Sequence, residues 1–123
     1  MSTQAHDGLN QHTWNLAEMG LIGAPRPISP EFTITLQFEE ESRIHGASDC
    51  NRYFATYHLD GPRLEFLHIG ATRMICPEPA MALESDYFAA LEQVETYQLQ
   101  EDRLTLYYDQ GKNLLLFRIR EGK

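Results

Sequence analysis

Between Phe32 and Phe38 the chain alternates without a break. Phe32, Ile34, Leu36 and Phe38 fall on one side, and Thr33, Thr35 and Gln37 on the other. A period of two puts apolar groups on one face of an extended segment, so "FTITLQF" is expected to be a strand with one wet face. Weaker alternation marks "TWNLAEM" as a short first strand. The glycines and prolines of "GLIGAPRPISPE" then read as a connection unfit for strand or helix. After the acidic "EEES" come "RIHG" and "RYFATYHL", and Asp60–Gly61 suits a tight hairpin returning through "RLEFLHI". "TYQLQ", "RLTLYY" and "NLLLFRI" complete the strands. The last is apolar on both faces, which suits a central or helix-covered position.

The period changes once. Met81, Glu84, Phe88, Leu91 and Glu95 share one line, with Leu83, Tyr87, Ala90 and Val94 beside it. This spacing predicts a single helix over Met81 to Val94, entered through Pro77 and Pro79, which only a first turn tolerates. Residues 1–12 are polar and aperiodic and read as a disordered tail before a single domain over residues 13–123. The expected class is α+β: a bent antiparallel sheet forming a half-closed barrel, with one packed helix.

The chain's 123 residues are enough for one core without a metal to hold it. Ten basic residues against 18 acidic give a net charge of -8, with no basic stripe to neutralise phosphates, so nucleic acid is not an expected partner. The longest apolar run, Leu114 to Phe117, is too short to cross a bilayer, and the first residues lack the basic start and apolar stretch of an export signal. A chain starting after a removed signal would look the same.

The chemistry concentrates in "SDCNRYFATY", where Asp49, Cys50, Asn51 and Arg52 precede Tyr53, Phe54 and Tyr57. Cys50 and Cys76 are the only cysteines. Bonded, they would close a loop of about 26 residues and add about 3.5 kcal/mol on the chain-entropy model; free, they would behave as small hydrophobes. The sequence leaves both states open. A nucleophilic Cys50 needs a base: His58 lies about 26 Å along a straight strand, and His45 reaches Cys50 only if the chain turns at Gly46. The histidines show no ligand spacing, and no phosphate, nucleotide or hydrolase motif appears, so neither metal nor cofactor is expected. Asp49 and Asn51 tolerate left-handed backbone and can bend a strand at a bulge. Glu84, on the apolar line of the helix, needs a partner such as Arg73 or free backbone N–H groups.

The order of these pieces resembles the META domain family, the group of HslJ-like heat-shock proteins. The family's cysteine–asparagine–aromatic stretch is matched at Cys50, Asn51, Tyr53 and Tyr57. Its threonine–methionine–cysteine stretch is matched at Thr72, Met74 and Cys76. The family helix is matched at Glu84, Tyr87, Phe88 and Leu91, and the closing strand at Gly111, Leu114, Leu115 and Phe117. The likeness runs from Thr13 to about Ile119. Asp49 departs from the family's glycine, and Phe54 stands where a small residue is usual, so Phe54 is expected to fill any groove beside it.

The resemblance implies a non-enzymatic, stress-associated domain of the cell envelope or periplasm, often carried on a lipoprotein, while the sequence itself leaves the cytoplasm open as the alternative. It further implies a monomer that binds an envelope protein or a lipid-like, apolar ligand. Cys50, Asn51, Arg73, Cys76 and Glu84 become a structural motif, with Cys50 facing the Cys76 segment. One helix over an antiparallel sheet leaves room for a cleft at the barrel mouth, and Tyr53, Tyr57, Tyr87 and Phe88 are its expected lining if it forms; the favoured alternative is that the aromatics fill the core, since small barrels are packed with side chains. The competing expectation is a thiol-dependent or hydrolytic enzyme using Cys50 with His45.

Overall fold

The computed structural model describes residues 8–120. Nine strands and one helix follow one another as β1 (Thr13–Leu21), β2 (Arg26–Pro27), β3 (Thr35–Glu39), β4 (Arg43–Ala47), β5 (Arg52–Asp60), β6 (Arg63–Ala71), α1 (Ala80–Glu92), β7 (Val94–Gln100), β8 (Arg103–Tyr108) and β9 (Asn113–Ile119). All pairings are antiparallel, and the order β1-β3-β4-β5-β6-β7-β8-β9 returns to β1 as a ring. The predicted class, a bent antiparallel sheet with one packed helix, is the one that forms.

The ring is unequally joined. β9 pairs with β1 from Trp14↔Ile119 to Leu21↔Asn113, and the Arg120 N–H donates to the Thr13 carbonyl at 2.7 Å. Between β6 and β7 the register consists of Arg63↔Thr96. Continuing it would set Val94 opposite Glu65, but the chain preceding Val94 belongs to α1, so β7 has run out. From there onward β6 pairs with β5 alone among the described residues.

Alternation sets the core. Ile34, Leu36 and Phe38, Tyr53, Ala55 and Tyr57, and Leu104 and Leu106 all point inward and are buried. β9 has both edges paired, and Phe117 meets the ring of Tyr87 on α1 at 6.4 Å, so the doubly apolar strand is both central and helix-covered. α1 turns Ala80, Glu84, Tyr87, Ala90 and Leu91 inward.

Three expectations are corrected. Residues 1–7 lie outside the described ones, but the remainder of the expected tail is structured: Leu9–Gln11 form a 3-10 turn, Leu9 is fully buried, and its carbonyl accepts the Trp14 indole N–H at 3.0 Å. A lone leucine among polar residues carries no period, which hid it. Within the expected connection, Arg26–Pro27 pair with Met19 and Glu18 as a two-residue edge strand, a place where proline costs no ladder bond. Phe54 fills no inward groove. It is 56% exposed on the outer face, its ring lying over Gly70, where an added Cβ would come within 2.6 Å of the ring.

Candidate functional site

The stretch from Ser48 to Asn51 joins β4 to β5. Asp49 adopts φ 76°, the left-handed conformation its short polar side chain tolerates, and its Oδ1 accepts the Thr33 N–H at 2.9 Å. The Ser48 N–H closes the bend on the Asn51 carbonyl at 2.8 Å. Asp49 therefore fulfils the turning role that the family gives to glycine.

The bend aims two side chains at α1. Glu84, 6% exposed, accepts the Ser48 hydroxyl at 2.5 Å and Asn51 Nδ2 at 2.9 Å, both on Oε2. Asn51 Oδ1 in turn accepts the Met74 N–H at 2.7 Å and the Thr72 hydroxyl at 2.8 Å, and its Nδ2 also reaches the Met74 carbonyl at 3.3 Å. One buried asparagine thus ties the β4–β5 bend, the segment after β6 and the helix together. Cys50 and Cys76 are disulfide-bonded with Cα atoms 6.1 Å apart, a second tie on the same segment.

Arg73 does not fill the role considered for it. It is exposed, and it pairs neither with Glu84 nor with any other carboxylate among the described residues. Neutral donors on the neighbouring bend satisfy Glu84 at lower desolvation cost than a buried guanidinium.

Deeper under the helix, Tyr53 donates to the Thr35 carbonyl at 2.6 Å, which commits its one proton, so Tyr87 is the donor in the 2.5 Å contact between the two hydroxyls. Burial pushes both phenols well above the ordinary tyrosine value. Gly46 stands over this pair. A Cβ there would collide with the Thr35 carbonyl oxygen and the Tyr53 ring.

Of the four aromatics expected to line a cleft, Tyr53, Tyr57 and Tyr87 are core residues. Tyr57 meets Phe38 edge-on at 5.1 Å. Phe88 alone reaches a cleft, one lying between the far end of β6 and α1, of about 580 Å³. Its walls are Ile69, Gly70 and Ala71 of β6, the Thr72–Ile75 stretch, and Met81, Glu84, Phe88 and Glu92 of the helix, with Asn51 at the base. Met74 is 61% exposed and Ile75 91% exposed beside it. Sequence reasoning missed Ile69, Met74, Ile75 and Met81 as a group. The one available signal was two adjacent apolar residues, Met74 and Ile75, in a segment with no strand or helix period to absorb them.

Cys50 and His45 are not brought together as a catalytic pair. The Cys50 sulfur is bonded to Cys76, and His45 Nδ1 lies 2.7 Å from Glu39 Oε2, on a side chain about half exposed. His58 approaches Glu65 at 3.8 Å, and His68 occupies a bulge at φ 56°. No group of three histidine, cysteine or acidic side chains able to hold a metal forms among the described residues.

A search of curated proteins finds no match. Among solved structures, an NMR structure of a protein from Burkholderia xenovorans superposes with TM-score 0.77 at 26% identity, covering 98% of this chain and 90% of the other. A DUF4847 family protein from Bacteroides vulgatus shares the fold, with TM-score 0.74 at 13% identity, 97% of this chain and 99% of the other being covered. The family model of the META domain matches residues 7–121, which include the buried Leu9. A sequence that pins its bend, its helix and its cleft wall with Asn51, Glu84 and the Cys50–Cys76 bond, matched over nearly its whole length, belongs to the META domain family.

Proposed function

We propose that this META domain is a non-catalytic binding module of the cell envelope, acting as a monomer and holding an apolar ligand or a partner's apolar segment in the cleft between β6 and α1. The observation that carries this is the cleft itself: about 580 Å³ bordered by Ile69, Met74, Ile75, Met81 and Phe88, on a domain whose remaining large apolar side chains are mostly buried. A concave pocket of this size, in which apolar side chains are combined with polar groups such as Asn51, Arg73 and Glu92, is the ordinary form of a binding site. The disulfide supports an oxidising compartment. A bonded Cys50 has no thiolate to offer as a nucleophile, which supports a role without covalent chemistry. The stress-associated role follows from the family resemblance.

The test is an NMR titration of the labelled, oxidised domain with a panel of fatty acids, lysophospholipids and apolar peptides. Shifts are expected at Ile69, Ala71, Met74, Ile75 and Phe88, with thermal stability rising with ligand concentration. A panel that shifts none of these while the protein remains folded would sink the reading.

A further inference from the structure

The cleft is bordered by a sheet edge as well as by side chains. Past Arg63↔Thr96, alternate residues of β6 direct their N–H and C=O groups away from β5, toward the space that β7 vacates when the chain becomes α1. An edge of this kind is normally covered by a helix or loop, or blunted by charge. Here α1 runs beside it, but the cleft separates the two over residues 69–71. Along the cleft the strand wall is residues 69–71, about 10 Å of β6 that the Thr72–Ile75 stretch continues, and it faces Met81, Glu84, Phe88 and Glu92 on α1.

Resting on the binding role proposed above, we propose that the occupant is an extended peptide segment of a partner protein, paired with the free edge of β6. Backbone decides this over a lipid. An acyl chain would cover Phe88 and Met81 but leave the β6 amides and carbonyls without partners, whereas an extended peptide supplies donors and acceptors at strand spacing. Every second side chain of such a strand then faces Ile69, Met81 and Phe88, and the intervening ones face water. The charge of the occupant follows from the walls. Glu84 and Glu92 oppose the single Arg73, on a chain of net charge -8, so apolar alternation flanked by basic residues fits best.

The probe is an eight-residue synthetic peptide alternating valine and threonine between lysine ends, titrated into the oxidised full chain. Amide shifts and slowed hydrogen exchange are expected in residues 69–71. N-methylating the peptide's alternate amides should weaken binding at least tenfold, and replacing the lysine ends by glutamate at least threefold. Equal binding of the N-methylated peptide, or shifts confined to side chains, would overturn strand pairing. Equal binding of the glutamate-ended peptide would overturn the basic-partner assignment. Lysophospholipid shifting the cleft where no peptide does would overturn this inference and leave the binding role standing. Silence from both would overturn both.

Discussion

The ring of strands is joined along one seam by the pairing of β9 with β1, from Trp14↔Ile119 to Leu21↔Asn113, and along another by Arg63↔Thr96 between β6 and β7. Beside the first seam Trp14, Leu16, Leu115 and Phe117 are buried. Beside the second, Met74 and Ile75 face solvent and a cleft opens against the helix. The same antiparallel geometry therefore yields stability where two strands run side by side for their full length, and a site where one strand ends early. What separates them is the helix, which feeds directly into β7 and consumes the residues that would have closed the gap.

Truncating the closed seam should have the largest effect. Trp14→Ala removes a fully buried ring and the indole donor to Leu9, and is expected to cost about 3–5 kcal/mol in denaturant unfolding. A cost under about 1 kcal/mol would show that this seam does not hold the fold. Replacing both Cys50 and Cys76 by serine should cost up to about 3.5 kcal/mol on the chain-entropy model. Unlike Trp14→Ala, it should raise hydrogen exchange first in residues 72–79, at the open seam. Uniformly faster exchange would break the comparison.

Asn51→Ala strands the Met74 N–H and removes a donor from Glu84, so about 1–3 kcal/mol is expected, with the cleft wall loosened. Double-mutant cycles with Glu84→Gln should show coupling between the two, and strict additivity would show that they act separately. The buried phenols give a pH test. Burial raises the folded values of Tyr53 and Tyr87 above the unfolded one near 10.0, so the unfolded chain releases its protons first; stability is full below pH 10 and falls as pH rises beyond it. A urea midpoint unchanged between pH 8 and pH 11 would contradict the burial of this pair. The smallest effect on stability belongs to Ile75→Asp, expected within about 0.5 kcal/mol of the parent because the side chain is 91% exposed. The same change should abolish the NMR shifts caused by ligand in the cleft.

Much of the architecture was legible because strands and helix keep different periods. "FTITLQF" placed Ile34, Leu36 and Phe38 in the core, and the change of period located α1 within two residues of its observed ends. The left-handed Asp49 and the approach of Cys50 to Cys76 followed from residue chemistry and family pattern. Leu9 was hidden because a single buried residue has no period, and the partner of Glu84 was misjudged because charge suggests Arg73 where geometry supplies Ser48 and Asn51. Apart from Phe88 the lining of the cleft escaped, because its walls come from β6, a loop and α1, and its position depends on where β7 stops pairing. That is a property of register, whereas Tyr53, Tyr57 and Tyr87 fill the core, as the packing of small barrels favoured.

The hydrogen bond from the Arg120 N–H to the Thr13 carbonyl sets the two ends of the sheet side by side. Continuity of the chain is then a matter of convenience for this fold. A short linker joining the neighbourhood of Arg120 to that of Gly8, with a new opening cut in the Asp109–Lys112 turn, should give a circular permutant that keeps every strand pairing. By the same geometry, the domain suits insertion into a loop of a host protein as a unit, entering and leaving at neighbouring points while the cleft between β6 and α1 stays free.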